Sequence, residues 1–169
     1  MGTTVSALVI LGDGAYVAQV GDSRIYLLRE RSGIHQITHD HSLVAEQVRS
    51  GLISEEEARN HSLKNLITRA VGIKEGVQID SFAFRLQAGD ILLICSDGLS
   101  GLVPDTRMAE ALSTGDLDTA TRQLIEEALE AGGTDNVTVL TVAVAAEPQH
   151  KDLQAGAKEV NISSPGFFG

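Results

Sequence analysis

Three aspartates of this chain have sequence neighbours that suit metal chemistry. Asp22 and Asp97 each follow an apolar, strand-like run, and Asp135 precedes one. Each lies beside Gly or Asn, in the type of tight turn that those residues permit. If the three strands share a pair of sheets, the carboxylates can converge at one end of it. Hard divalent cations such as Mg²⁺ and Mn²⁺ take such oxygen ligands together with water.

A simpler interpretation of each aspartate is that it caps a turn, because Asp is a favoured turn residue. That interpretation is strong for any one of them and much weaker for three that all adjoin apolar strands. Arg24, two residues after Asp22, can either pair with a carboxylate at the site or simply solvate the turn. The structural role is favoured for Arg24.

The elements that position these residues are mainly strands. Alternating or continuous apolar runs predict strands at 5–10, 15–20, 25–28, 34–38, 77–86, 91–95 and 137–145. The first four are separated by short turns, with Asp13-Gly14 as a hairpin signal, and they predict an antiparallel meander. Asp22 would then lie at the crest of a hairpin. The fully apolar run 91–95 is predicted as a central strand.

Helical patterns lie between and after the strands. Residues 39–72 form a polar stretch that we expect to lie on the surface of the sheet as a subdomain, with Ser54 and Glu57 spaced as a capping box. Asp105 is predicted to cap a further helix. The clearest helix spans 119–131 and places four apolar side chains on one face: Leu124, Ile125, Ala128 and Leu129. The pattern indicates one α+β domain.

Composition excludes several classes of function. The net charge of −10 argues against nucleic acid as a partner, because phosphate backbones need clustered Lys and Arg. No run approaches the roughly 20 apolar residues of a membrane span, and no secretory signal pattern begins the chain. The single cysteine, Cys95, cannot form an internal disulfide, so we expect a cytoplasmic, reducing location.

Two other chemistries have weaker support. A cysteine-dependent phosphatase needs Arg six residues after its cysteine, and the residue six after Cys95 is Gly101, so Cys95 is expected in the core. His39 and His41 have a spacing that could chelate a transition metal. No third ligand of that type lies nearby, which favours a polar loop.

The order of motifs resembles a known family. The segments "MGTTVSALVI", "YVAQVGDSRIYLL", "THDHSLV", "SDGLSG" and "GGTDNVTVLTV" occur in the order typical of the metal-dependent protein serine/threonine phosphatases, the PPM or type 2C family, in their bacterial form. The resemblance covers residues 1–146 and leaves 147–169 as a tail expected to be disordered. It implies an antiparallel β-sandwich flanked by helices, in the layer order α-β-β-α.

The resemblance also implies a chemistry. Two Mn²⁺ or Mg²⁺ ions, with a third in bacterial members, would activate a water that attacks a phosphoserine or phosphothreonine phosphoryl group directly. Asp97 and Asp135 would bind the first ion, and Asp22 would join Asp97 at the third. Residues 39–72 would be the flap that influences substrate choice, where Arg69 could approach phosphate. The partners would be phosphorylated proteins, either a Ser/Thr kinase or its targets.

The chain departs from the family's pattern before Gly2-Thr3-Thr4. The resemblance places an Arg that grips phosphate, an acidic residue, and an Asp-Gly pair that bridges the metals ahead of that point, and we do not accept Asp13-Gly14 as the bridging pair. We therefore expect a domain lacking roughly its N-terminal third, with one sheet face uncovered, feeble metal binding and little catalysis. A longer parent chain or a complementing segment would restore the site.

Two alternatives to the phosphatase stay open at this point. A non-catalytic regulatory module could keep the binding surface of the fold without its chemistry. A structural β-rich domain with fortuitous aspartates is the less favoured alternative, because five family motifs occur in order.

Overall fold

The structure, a computed structural model, describes residues 1–145, and the expected tail at 147–169 lies outside them. The strands are β1 (Val5–Leu11), β2 (Gly14–Val20), β3 (Arg24–Arg29), β4 (Gly33–Gln36), β5 (Asp80–Arg85), β6 (Ile91–Cys95) and β7 (Val139–Ala143). The helices are α1 (Leu43–Arg49), α2 (Glu55–Arg59), α3 (Asp97–Ser100), α4 (Asp105–Leu112) and α5 (Leu117–Glu130). The α+β class is confirmed.

The strands form two antiparallel sheets, with the orders β1-β2-β5 and β4-β3-β6-β7. The predicted meander of four strands is therefore wrong, because β2 and β3 lie in different sheets. The turn that carries Asp22 connects the sheets and is not the crest of a hairpin. The apolar strand β6 is central as predicted, since it pairs with both β3 and β7.

The space between the two sheets is filled by aliphatic side chains. Ala15 of β2 contributes from one sheet, Leu27 of β3 and Leu92 of β6 contribute from the other, and Leu86 follows β5. All four are buried. Side chains alternate across a strand, so Leu27 and Leu92 face this layer while their neighbours Tyr26 and Leu93 face the opposite side of the same sheet.

A second core lies between the four-stranded sheet and the helices α3, α4 and α5. Leu99, Met108 and Leu124 are fully buried there against the sheet. The helix predicted at 119–131 exists but starts earlier, at Leu117, and Leu129 is 57% exposed, so Leu129 does not share the buried face.

The start of α4 differs from the prediction by one residue. Pro104 occupies the N-cap, and Asp105 is the first helical residue. The carboxylate of Asp105 accepts a hydrogen bond from the Tyr26 hydroxyl at 3.2 Å. Proline suits the boundary because its fixed φ and missing N–H cost nothing where a helix begins.

The outer face of the three-stranded sheet is exposed and apolar. Val5, Val9 and Leu11 of β1 are 43%, 53% and 65% exposed. Tyr16 of β2 lies on the same face, because it pairs with Val9 in β1 and with Ala83 in β5. The expectation of an uncovered sheet face is therefore confirmed for residues 1–145, which supply the layers β-β-α of the implied sandwich.

The predicted flap, residues 39–72, contains α1 and α2. The capping box is confirmed, since the Ser54 side chain accepts from the Glu57 amide and Glu57 accepts from the Ser54 amide. A backbone bridge between Thr3 and Val71 joins the end of this segment to the start of the chain. Within residues 1–145, none of the helices is long and apolar enough to cross a bilayer.

Candidate functional site

Asp22 lies in a turn whose backbone is tightly constrained. Gly21 has a φ of 111°, in a region that favours glycine. A Cβ added to Gly21 would lie 2.3 Å from the Thr4 side chain, so only glycine lets the chain cross there. The buried amide of Gln19 donates to the carbonyls of Gly21 and Ser23, at 3.0 and 2.6 Å. The turn between the sheets is thus held from inside.

Residues 38–42, which we call the clamp segment, hold the same turn from the other side. The Thr38 hydroxyl accepts from the Ile25 amide at 3.0 Å. The His41 amide donates to the Gly21 carbonyl at 2.9 Å, and the Gly21 amide donates to Nδ1 of His41 at 3.1 Å. Thr38 and His41 are fully buried. Sequence reasoning missed this role for the clamp segment.

His39 and His41 do not form a chelating pair. His39 packs edge-on against Phe82, with ring centroids 5.4 Å apart. His41 points into the interior, so the interpretation of this stretch as a polar loop holds for His39 and is wrong for His41.

The role favoured for Arg24 from the sequence, solvation of the turn, is wrong, because its guanidinium is bound to the carboxylate of Asp40. Its Nε donates to both carboxylate oxygens of Asp40 at 3.0 Å, and its Nη2 donates to Asp40 Oδ2 at 2.7 Å. Its Nη1 donates to the Tyr26 hydroxyl at 2.9 Å. The guanidinium is therefore bonded to Asp40 and Tyr26, and Arg24 forms no direct ion pair with Asp22.

Asp97 follows the central strand β6 and begins the short helix α3. Ser96, between them, fixes the neighbouring loop: its hydroxyl donates to the Asn136 carbonyl at 3.1 Å and accepts from the Thr138 amide at 3.0 Å. The loop with Asp135 is therefore docked beside the turn with Asp97. A small hydroxyl residue directly after an apolar central strand is the only sequence signal for this role of Ser96.

The electrostatics link Asp22 to Asp97. Burial, and then the negative charge of Asp97, raise the pKa of Asp22 to about 6. The Asp22 carboxylate, buried and exposed to the negative charge of Asp97, is therefore a group whose ionised form a cation would stabilise. Hard divalent ions are the cations that such oxygen donors suit.

Asp135 does not complete a cluster with these two. Its Oδ1 accepts from the neighbouring Asn136 amide at 2.7 Å, and the residue is exposed. Within residues 1–145, no three His, Cys, Asp or Glu side chains converge closely enough to hold a metal ion. Asp22 and Asp97 therefore fit part of a divalent-metal site, and the described residues do not form a complete one.

Comparison with known proteins matches residues 1–137 to the family described as Protein phosphatase 2C. The chain belongs to the protein phosphatase 2C family. It is 46% identical over 143 residues to the serine/threonine phosphatase stp of Listeria monocytogenes serotype 4b, covering 84% of this chain and 56% of that protein. It is 41% identical over 146 residues to the protein phosphatase PhpP of Streptococcus pneumoniae serotype 2, covering 85% of this chain and 58% of that protein.

Solved structures agree with the protein phosphatase 2C assignment. The serine/threonine phosphatase PstP/Ppp of Mycobacterium tuberculosis superimposes with a TM-score of 0.81 at 40% identity, covering 86% of this chain and 61% of that one. The catalytic domain of PstP in complex with two manganese ions gives a TM-score of 0.78 at 40% identity, covering 86% and 60%. This family member spans a little over half the length of the curated relatives that it matches.

Two further charged residues of this 2C-family chain are engaged away from Asp22. Asp13 pairs with Arg85 in an exposed ion pair at the opposite end of β2 from Asp22, roughly 20 Å away for a seven-residue strand. Asp13 is therefore too far away to share a metal site with Asp22. Arg69 donates from Nη1 to Asp80 Oδ1 at 2.7 Å, and this structure does not direct it at a phosphate site.

Asp80 and Cys95 have shifted acidities with different causes. Burial alone would raise the pKa of Asp80, but contacts with Arg69 and His41 outweigh it and hold that pKa below its ordinary value. Burial raises the pKa of the Cys95 thiol to about 12. A thiol so resistant to ionisation is a poor nucleophile, which agrees with the assignment of Cys95 to the core.

Proposed function

We propose that this chain carries part of the active site of a metal-dependent protein serine/threonine phosphatase. The observation that supports it best is the buried Asp22 carboxylate near the partly buried Asp97, because a divalent cation would relieve the repulsion that Asp22 meets when it ionises. Mn²⁺ or Mg²⁺ is the proposed cofactor, in agreement with the two manganese ions of the PstP structure. The proposed substrates are phosphorylated proteins, among them a Ser/Thr kinase or its targets.

In the proposed mechanism, the residues of this chain bind and orient. Asp97 and Asp22 contribute carboxylates on the turns after β6 and β2, and Ser96 keeps the loop of Asp135 beside them. A divalent ion held there would supply a water activated for direct attack on the phosphoryl group. The predicted flap, residues 39–72, is proposed to influence which phosphoprotein reaches the site.

The donor set within residues 1–145 supports a second part of the proposal. Because no three acidic, His or Cys side chains converge there, we propose that further ligands come from a longer parent chain or a complementing segment. The free, buried Cys95 fits a reducing, cytoplasmic location. The alternative is a non-catalytic regulatory module, which is less favoured because the relatives of this chain are named serine/threonine phosphatases.

Manganese-dependent hydrolysis of a phosphothreonine peptide tests the enzyme proposal. The 169-residue chain is expected to hydrolyse it feebly, and Asp97→Ala is expected to abolish that activity. Asp118→Ala, an exposed aspartate on α5, is the matched control and should change nothing. Full activity from this chain would show that it lacks no essential ligand, and activity unaffected by Asp97→Ala would contradict the metal assignment.

The coding sequence upstream separates the enzyme from the regulatory module. An in-frame extension that encodes an Arg and an Asp-Gly pair, expressed with this chain, is expected to raise the activity strongly. Activity that stays at the level of the Asp97→Ala variant in the extended protein would favour the regulatory module.

A further inference from the structure

His41 is a fully buried polar side chain that the proposed chemistry does not use. Its Nδ1 accepts a hydrogen bond from the amide of Gly21, the residue before Asp22, at 3.1 Å. Because an acceptor nitrogen carries no proton, this contact assigns the ring proton to Nε2. Nε2 lies 3.1 Å from Oδ2 of Asp80, at an angle too bent for a regular hydrogen bond.

Asp80 continues the chain of contacts toward the flap. It is the first residue of β5, and its second oxygen accepts from Arg69 at 2.7 Å. Next to Arg69, the Thr68 amide donates to the His41 carbonyl at 2.8 Å. Residues 68–69 of the flap therefore contact both His41 and the carboxylate beside its ring.

We propose that His41 is a positioning residue that sets the Asp22 turn and couples it, through Asp80 and Arg69, to residues 68–69 near the C-terminal end of the flap. The coupling to metal binding rests on the proposed function, whereas the positioning of the turn does not. The His41 side chain forms no hydrogen bond or ion pair with Asp22 or Asp97 in the described residues, so it acts through the Gly21 backbone.

The physical reason lies in the backbone of Gly21. Glycine gains the most conformational freedom when its contacts are lost, and the unusual φ of Gly21 has no side chain to stabilise it. Both its N–H and its C=O are held by His41, with Gln19 as a second donor to the C=O. Without the Nδ1 acceptor, the buried Gly21 N–H is unsatisfied and the turn relaxes to reach water. Asp22 then moves with it.

The tautomer of His41 provides a test in the unmodified chain. In ¹⁵N-labelled, metal-free protein, long-range ¹H–¹⁵N correlation of the imidazole is expected to show a protonated Nε2 and an unprotonated Nδ1 with the shift of a hydrogen-bond acceptor. A proton on Nδ1 would overturn the proposal, because the Gly21 N–H would then have no acceptor there.

Two substitutions separate the two ring nitrogens. In His41→Asn the amide oxygen takes the place of Nδ1, whereas in His41→Gln the amide lies at the place of Nε2 and no acceptor faces Gly21. Amide hydrogen exchange of Gly21, taken relative to the core amide of Leu93, should accelerate at least about tenfold in His41→Gln and stay within about threefold of the parent in His41→Asn. The exposed His35→Gln is the control.

Manganese affinity, measured by electron paramagnetic resonance, completes the test. Loss of an outer contact to a ligand turn typically weakens metal binding by about ten- to a hundredfold, so His41→Gln should bind Mn²⁺ at least about tenfold more weakly and His41→Asn should recover most of that loss. Equal effects of Asn and Gln on Gly21 exchange, or no effect of either, would overturn the positioning role.

The outcomes for His41 and for the phosphatase are distinguishable. If Asp97→Ala does not change Mn²⁺ binding, the proposed function fails, while Gly21 exchange still reports on His41. If Asp97→Ala abolishes binding and His41→Gln changes only Gly21 exchange, the turn is positioned but the coupling to the metal is wrong.

Discussion

Gly98 of α3 lies against the carbonyl group of Asn136, so closely that a Cβ on Gly98 would come 2.4 Å from that oxygen. The backbones of two distant segments, one with Asp97 and one with Asp135, therefore touch where the glycine has no side chain. This contact and the two hydrogen bonds of Ser96 fix how the segments face each other.

Gly98→Ala is expected to push the Asn136 loop away from α3. The added methyl group meets backbone atoms that cannot rotate aside, so we expect a loss of about 1 to 3 kcal/mol in the free energy of unfolding. Urea denaturation measures it. The matched control is Gly76→Ala, where a Cβ has no atom within 4 Å and φ is not in the left-handed region. Equal stability of the two variants would contradict the proposed contact.

Asp22→Asn is expected to stabilise the metal-free protein at pH 7. Burial and Asp97 raise the pKa of Asp22 to about 6 from its ordinary value of 3.8, so the folded state disfavours the ionised form. The free energy of unfolding of the parent falls as the pH rises from about 4 to about 6. The variant does not lose this stability, because asparagine does not ionise. Since the site is partly solvated, we expect a gain of about 1 to 2 kcal/mol at pH 7 and none at pH 3.

The check on Asp22 is denaturation across that range of pH with and without Mn²⁺. Saturating Mn²⁺ should make the parent more stable than Asp22→Asn, because only the parent has the carboxylate that binds the cation. A variant less stable than the parent at pH 7 without metal would show that the Asp22 carboxylate is stabilised in the fold.

Arg24→Lys is expected to destabilise the fold despite the conserved charge. Lysine cannot reproduce the forked contact with both oxygens of Asp40 together with the bond to the Tyr26 hydroxyl. Thermal denaturation should show a loss of about 1 to 3 kcal/mol. The control Arg85→Lys alters an ion pair between two exposed side chains and should cost less than about 0.5 kcal/mol. Equal losses in the two variants would contradict the role given to Arg24.

The outer face of the three-stranded sheet should bind a hydrophobic dye. Val9 and Ala83 flank Tyr16 on this exposed apolar surface, and such surfaces adsorb amphiphilic probes. Val9→Lys and Ala83→Lys are expected to lower the fluorescence of bound anilinonaphthalene sulfonate by about half or more. Leu52→Lys, at an exposed leucine outside the sheet, should leave it unchanged. Equal fluorescence in all three variants would place the dye elsewhere.

The sequence by itself determined most of the elements, because their signals are local, and it missed the short helix α3. Alternation and apolar runs predicted each of the seven strands within residues 1–145, and the capping box at Ser54 began α2 as expected. Some boundaries shifted by a residue or two, as at α4, where Pro104 occupies the N-cap that was expected at Asp105. The order of the motifs identified the family, since these motifs include the turns with Asp22 and Asp97.

Only the tertiary structure decided what those turns contact. A strand pattern does not specify its partner, so β2 and β3 could be assigned to one hairpin although they lie in different sheets. The buried ring of His41 joins Gly21, twenty positions before it, to Asp80, thirty-nine positions after it, and no periodicity encodes that contact. Such contacts form because a buried polar atom must find a partner in the folded interior, and only folding determines which atom is near.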